Sequence, residues 1–350
     1  MPDAAPTPNA AELRTGVLLV NLGTPDAPRP AEVRRYLREF LGDPRVLDMP
    51  ALARWLLLHI VILPRRPRAA ARAYAKIWTP QGSPLRVHGE ALGAALAREL
   101  GGDYVVALGM RYGRPSLREA AERLVEANVA RILALPLFPQ YSEAATGSAQ
   151  AKLREELARL ESPPVSVLPP FYAEPRYVAA LAEVARPQLA AFGPDHVLFS
   201  YHGLPERQVR ASDPTGSHCL AAPTCCDAIS APNARCYRAH CFATTRAVAG
   251  ALRLAPGGSS TSFQSRLGGT PWIRPFTDEV LPELAARGLR RLAVLCPSFV
   301  ADCLETLEEI GIRAAEQWQA LGGEALRLVP SLNAEPVWVR TIAAWVREGA

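Results

Sequence analysis

The chain has 350 residues, of which 49% are hydrophobic and 21% charged, and 39 basic against 34 acidic residues leave a formal net charge of +5. Globular proteins sit near about 45–50% and about 25% for those two classes, which excludes a disordered or fibrous chain. Charge this mild, with one local basic cluster and no stripe, excludes a nucleic-acid partner, and a domain takes roughly 100–200 residues, so two are expected.

Residues 1–11 are rich in Ala and Pro and lack the basic-then-apolar layout of a secretory signal. Short β-branched runs then alternate with longer stretches of helical period. Strands are predicted at 16–21, 104–110, 131–136 and 165–168, and again at 196–201, 260–264, 291–295 and 325–329. Helices are predicted at 29–41, 116–127, 146–160, 174–191, 278–287, 303–319 and 335–348. This alternation predicts an α/β protein of two similar doubly wound lobes, each a four-stranded parallel sheet flanked by helices, with a cleft between them. The first lobe is assigned to residues 14–169 and the second to 170–333, with the boundary near Pro169-Pro170. The terminal helix, 334–350, is expected to pack back on the first lobe.

Ligands of such sheets bind at the carboxyl ends of strands. The informative segments all follow predicted strands: 21–25, 111–113, 136–148, 201–205 and 297–309. No phosphate-binding or dinucleotide loop is present, so nucleotide chemistry has no support. His202 ends an apolar strand ahead of a Gly and a Pro. It is positioned either to take a proton or ligate a metal in a cleft, or to serve as a hydrogen-bonded structural histidine. Glu305 and Glu309, four apart in the acidic run 302–309, share a helix face. They form either a cation or proton path or a solvated acidic face near a helix start.

The stretch 51–63 is almost wholly apolar and runs into Pro64-Arg65-Arg66-Pro67-Arg68. Its longest apolar run is too short to span a bilayer, which needs about 20 residues. Apolar residues beside a basic cluster suit peripheral binding to anionic lipid; the alternative is a buried helix with solvated arginines. The expected location is the cytoplasm. Of seven cysteines, five lie between Cys219 and Cys241, a cluster that in a reducing compartment points to metal rather than disulfides. Cys296 reads as a small buried hydrophobe.

Ordered blocks along the chain carry a resemblance to ferrochelatase, the enzyme that inserts ferrous iron into a porphyrin at the end of haem synthesis. They include Leu19-Val20-Asn21-Leu22-Gly23-Thr24-Pro25, Met110-Arg111-Tyr112-Gly113, Leu135-Pro136-Leu137-Phe138-Pro139-Gln140-Tyr141-Ser142, Ser200-Tyr201-His202-Gly203-Leu204-Pro205-Glu206, Phe263-Gln264-Ser265-Arg266, Pro271-Trp272 and Cys296-Pro297-Ser298-Phe299-Val300-Ala301-Asp302. The resemblance implies an enzyme that takes Fe(II) and protoporphyrin IX and releases two protons. It implies that His202 and Glu305 are the catalytic pair, facing each other across the porphyrin, that either contacts the incoming iron, and that Glu309 continues a relay. It places Met110, Arg111, Tyr112, Tyr141, Trp272, Leu56 and Leu57 at the macrocycle pocket, and it makes 51–68 a membrane-facing lip. Arg313 stands where the family often continues the carboxylate row, and Cys303 where many members carry His. The segment 215–241 resembles the internal cysteine group of a bacterial subset with a [2Fe–2S] cluster, which implies ligation by Cys219, Cys226, Cys236 and Cys241, with Cys225 as alternate. Structural zinc and unmetallated thiols are the competing readings of the insertion. A coproporphyrin or other tetrapyrrole chelatase and a non-catalytic two-lobed binding protein are the competing readings of the whole chain. A monomer and a homodimer both fit.

Overall fold

A computed structural model describes residues 14–266 and 268–349; the segment 1–11, read above for a targeting signal, lies outside them. The first half runs β1 (Thr15–Thr24), α1 (Pro30–Gly42), α2 (Ala51–Leu56), a π-helix (Leu57–Ile62), α3 (Leu63–Ile77), α4 (Pro84–Leu100), β2 (Tyr104–Gly113), α5 (Leu117–Glu126), β3 (Arg131–Pro136), a π-helical turn (Glu143–Gly147), α6 (Ser148–Arg159) and β4 (Val165–Val167). The second half runs α7 (Pro175–Phe192), β5 (His196–His202), α8 (Glu206–Ala211), α9 (Tyr237–Leu252), β6 (Ser259–Gln264), α10 (Thr277–Ala286), β7 (Arg291–Leu295), a π-helix (Glu305–Ala314), α11 (Ala315–Ala320), β8 (Ala325–Leu328) and α12 (Pro336–Glu348).

The strands form two four-stranded sheets, ordered β2-β1-β3-β4 and β6-β5-β7-β8, and every pairing within them is parallel. The two orders are the same order repeated, so the two lobes are similar, as expected. Central strands of parallel sheets are covered on both faces and read as unbroken apolar runs. Val17 to Val20 on β1 are accordingly at most 1% exposed. Alternate side chains point to opposite faces. Val17 and Leu19 join one core with Leu92 and Leu96 of α4, while Leu18 and Val20 join another with Leu117, Leu124 and Leu153 of α5 and α6. On β5 the same alternation sends Val197, Phe199 and Tyr201 inward and Leu198 to the far side, against α10 and Trp318.

The inward faces of both sheets share one core. Helix α12 closes it, on the first lobe as expected and on the second as well. It packs on α4 of the first lobe and on α7 of the second, burying Trp338 and Trp345 against Phe171 and Tyr177. Its charged end does the same, with Arg347 on Glu99 of α4 and Glu348 on Arg176 of α7. Periodicity alone missed α2–α4, α8 and α9. Prolines obscure one of these, since Pro64 opens α3 and Pro67 lies inside it, and a proline removes a helix hydrogen bond.

Because the central core is common to both lobes, the two should unfold together. Trp338→Ala is expected to lower stability by about 3–5 kcal/mol and to leave a single urea transition by both fluorescence and circular dichroism; two separated transitions would show independent lobes.

Candidate active site

The carboxyl ends of β5, β6 and β7 bring the second lobe's functional residues together. His202 is the last residue of β5 and pairs in register with Gln264, the last residue of β6. Its ring is half-buried, and Nδ1 lies 2.6 Å from the Gly203 carbonyl oxygen. A carbonyl only accepts, so Nδ1 carries the hydrogen and Nε2 keeps a lone pair. The ring stands edge-on to Phe299 at 6.4 Å. Gly203 allows Trp272 to close in: a Cβ there would lie 3.2 Å from Trp272 Cε3 and 2.9 Å from the Gln264 carbonyl. The indole is thereby placed as a wall beside His202, and the backbone bridge between Pro205 and Trp272 holds it there.

The loop after β7 leads into the π-helix Glu305–Ala314, not the ordinary helix expected over 303–319. Such wide turns are uncommon and concentrate at functional sites. Glu305 opens it and faces α1 and α3 of the first lobe. Burial, with the Glu305 charge nearby, pushes the Tyr36 and Tyr74 hydroxyls well above their ordinary range. Burial, and then that same charge, push up the Cys303 thiol as well. Cys303 is fully enclosed, and Cys296 is buried in the core as expected.

Glu309 is half-buried and turned toward the strand end, where the Ser265 backbone N–H donates to it at 2.9 Å and the Ser265 hydroxyl donates as well. Arg313 lies 3.8 Å from Glu309 and donates to Glu308 at 2.8 Å. The carboxylate row therefore ends at Glu309, and a cavity of about 290 Å³ opens beyond it, lined by Ser265, Arg266, Asp278, Glu309, Arg313 and Gln317 among others. Glu308, to which the sequence reading gave no role, is 4% exposed and takes a second ion pair from Lys76 of α3 at 3.1 Å. That contact ties the π-helix to the first lobe.

The first-lobe candidates divide by exposure. Met110 and Tyr112 are at most 1% exposed and lie behind the cleft surface. The Tyr112 hydroxyl donates to Asp43 at 2.9 Å, and Arg111 donates to Asp43 at 2.6 Å and to Ser148 at 2.7 Å. Burial works against the Asp43 carboxylate, but hydrogen bonds from Ser148, the Arg45 N–H and Tyr112 outweigh it and hold the carboxyl below its ordinary range. Arg111 is thus neutralised in place. Tyr141 is 8% exposed, its hydroxyl engaged by Glu143 and Arg235 and its ring covered by the Arg235 guanidinium at 4.4 Å. Leu57 is partly buried under the lip and Leu56 is exposed. Asp43, Ser148, Lys76 and Glu308 escaped the sequence reading because each works through a partner 37 to 232 residues away, a separation that no local pattern encodes.

All five clustered cysteines are buried. Cys225 and Cys226 have sulfurs 3.6 Å apart, and Cys236 contacts both Cys219 and Cys226. Cys241 lies deeper, against the Tyr237 hydroxyl. Guanidinium groups surround the thiols: Arg238 donates to Cys226 Sγ at 3.2 Å, Arg246 to the Cys226 carbonyl at 3.1 Å and Arg210 to the Cys219 carbonyl at 3.3 Å. Among the described residues, no three His, Cys, Asp or Glu side chains converge to hold a single metal ion.

The packing at Gly203 yields a direct test. Gly203→Ala is expected to push Trp272 away from His202 and to lower kcat/KM for porphyrin about 10–100-fold, while circular dichroism keeps the native spectrum; wild-type kinetics would remove Trp272 from the site.

Three comparisons bear on identity. The model of the ferrochelatase family matches residues 14–350. The ferrochelatase of Coxiella burnetii strain CbuK_Q154 is 50% identical over 335 residues, covering 96% of this chain and 94% of its own, and that of Legionella pneumophila strain Lens is 48% identical over 337 residues, covering 96% and 99%. Among solved structures, the sirohydrochlorin chelatase SirB from Bacillus subtilis subspecies spizizenii, in complex with cobalt, superposes with a TM-score of 0.52 at 11% identity over 97% of this chain and 96% of its own, a likeness of fold. With the doubly wound lobes, the strand-end histidine and the glutamate-bearing π-helix, the chain belongs to the ferrochelatase family, which inserts iron into a porphyrin in haem synthesis.

Proposed function

We propose that this chain inserts Fe(II) into protoporphyrin IX, with His202 and Glu305 removing the two pyrrole protons. The observation that carries the reading is the contact of His202 Nδ1 with the Gly203 carbonyl at 2.6 Å: a neutral ring so bonded holds its hydrogen on Nδ1 and leaves Nε2 to act as the base. A macrocycle lying in the cleft between the lobes would meet His202 and Trp272 from the second lobe and the lip from the first. Contacts remote from the nitrogens bend the ring and tilt their lone pairs toward the iron. Each N–H bond then breaks as an Fe–N bond forms, one proton passing to His202 Nε2 and the other to Glu305. From Glu305 a proton reaches water by way of Glu309 and the cavity beyond it. The positive charge of Arg313 at that exit disfavours entry of a cation there, which supports reading this route as one for protons. Arg111, already paired with Asp43, offers no free charge to additional carboxylates, which favours protoporphyrin over coproporphyrin. His202→Ala and Glu305→Gln should each cut turnover about 10²–10⁴-fold while porphyrin fluorescence titration still shows binding; unchanged turnover would refute the pair.

The lip supports peripheral membrane contact. Leu52, Trp55, Ile60 and Val61 are 71%, 54%, 58% and 46% exposed, beside the exposed Arg65, Arg66 and Arg68. No described helix is long and apolar enough to cross a membrane. Burying one such side chain contributes about 1.5–3 kcal/mol. Trp55→Glu combined with Ile60→Glu is therefore expected to weaken co-sedimentation with anionic lipid vesicles at least about tenfold; equal binding would leave the lip solely as a porphyrin entrance.

The cysteine segment fits a [2Fe–2S] cluster, whose four thiolate ligands serve two irons, better than one zinc ion. The thiols in mutual contact are Cys219, Cys225, Cys226 and Cys236, so Cys225 takes the place first given to Cys241. When bound, the cluster supplies a one-electron redox centre and a negative charge, which Arg210, Arg238 and Arg246 are placed to balance. Protein purified without oxygen is expected to contain equal iron and sulfide with visible bands that bleach on dithionite, to keep them in Cys241→Ser and to lose them in Cys225→Ser. The reverse outcome for the two variants would restore the first assignment, and stoichiometric zinc would replace the cluster.

A further inference from the structure

Gln264 touches the supports of both proposed catalytic residues. Along its backbone it pairs with His202 across the β5–β6 ladder, and its carbonyl accepts the Gly203 N–H at 2.7 Å. Through its side chain it reaches the other residue: Nε2 donates to the backbone carbonyl of Glu305 at 2.8 Å and lies 3.4 Å from Glu309 Oε2. Its Oε1 accepts from the Ser200 hydroxyl at 2.7 Å. Ser200 in turn is joined to Thr277 at 2.9 Å, and Thr277 to Ser262 at 2.8 Å. The Glu305 carbonyl, which can only accept, fixes which way the amide points and leaves Oε1 to the Ser200 hydroxyl. The residue is 4% exposed, so its bonds are made away from competing water.

We propose that Gln264 is a positioning residue that gauges the separation of His202 and Glu305 and keeps the π-helix wide at its first turn. This rests on the reading of those two side chains as the proton-accepting pair. An α-helical turn would give the Glu305 carbonyl to the N–H four residues on; a π-turn passes it to the fifth, with poorer geometry. A second donor on that carbonyl offsets the weaker bond and removes the drive to tighten. Ser265 completes the clamp. Its φ of 66° is left-handed, unusual for a residue with a Cβ. That turn aims its N–H and hydroxyl together at the Glu309 carboxylate one turn further along. The strand end thus grips the π-helix at two successive turns. Losing Gln264 would let the helix relax and rotate Glu305 out of line without touching either catalytic side chain.

The test uses full-length enzyme with ferrous iron and protoporphyrin under anaerobic conditions. Gln264→Met preserves length and removes the side-chain hydrogen bonds to Glu305, Glu309 and Ser200; Gln264→Glu keeps the Ser200 bond and loses the amide donor. Thr261→Val, on the same strand and bonded to Thr245, controls for general loss of stability. We expect Gln264→Met to lower kcat about 30–100-fold, to hold KM for porphyrin within about threefold, and to displace the pH–rate profile. Thr261→Val should keep kcat at a comparable fall in melting temperature. Should Gln264→Met fail to fold, Gln264→Glu carries the same expectation. A kcat within about twofold of wild type, or a loss matched by Thr261→Val, would overturn the inference. Glu305→Gln measured alongside separates the two readings. If it is inactive while Gln264→Met is normal, only the positioning role fails; if it is active, the catalytic pair itself is wrong.

Discussion

Everything at the site depends on holding two separate sheets at a fixed separation. Parallel strands pair within each lobe but not between them, so backbone hydrogen bonding cannot set the cleft width. The shared core does. Phe171, Tyr177, Trp338 and Trp345 interlock as tilted and edge-to-face rings at 5.1 to 6.0 Å, α12 carries them onto α4 of the first lobe, and within the second lobe the Tyr177 hydroxyl donates to the Pro297 carbonyl at 2.6 Å in the loop that leads to Glu305. Close-packed interiors deform little and transmit strain. A rigid joint behind the cleft therefore fixes the positions of groups in front of it.

Polar contacts between the lobes add a second layer around the cleft rim. Lys76 holds Glu308 of the π-helix, Arg207 and Gln208 of α8 hold the loop 43–50 through Asp48 and Val46, and Gln140 donates to Thr244 of α9. Exposed pairs such as Asp48–Arg207 are worth little individually. Their value here is placement: each ties an element adjoining the site to the opposite lobe. The exposed apolar lip begins where that anchored loop ends, and Leu58, Ile62 and Leu63 seat it on Leu41.

The cysteine segment joins this frame from the other side. His240 receives the Tyr141 N–H at 3.2 Å on one ring nitrogen, donates to the Ala234 carbonyl at 2.9 Å from the other, and stacks on Tyr172 at 3.7 Å. Desolvation pushes its pKa down to about 4, so it stays neutral and can accept and donate at once. Arg235, from the same segment, covers Tyr141. The thiol-bearing loop is thus in mechanical contact with a residue of the cleft, and no step of metal insertion is assigned to the thiols.

The two four-stranded parallel sheets and the likeness of the two halves were legible in the sequence, as was the place of His202 at a strand end. The reason is local: buried parallel strands print as apolar runs, and in this fold sites follow strand ends. Tertiary structure alone decided the rest. It made the terminal helix a bridge, because a tryptophan pattern does not say which of two lobes it enters. It widened the helix of Glu305, because the donor that supports the wide turn comes from Gln264, 41 residues earlier. It buried Met110 and Tyr112 and paired Tyr112 and Arg111 with Asp43, which is distant in sequence. It set the sulfurs of Cys225 and Cys226 3.6 Å apart and Cys241 against Tyr237, because contact between sulfurs depends on how a loop folds and not on its spacing.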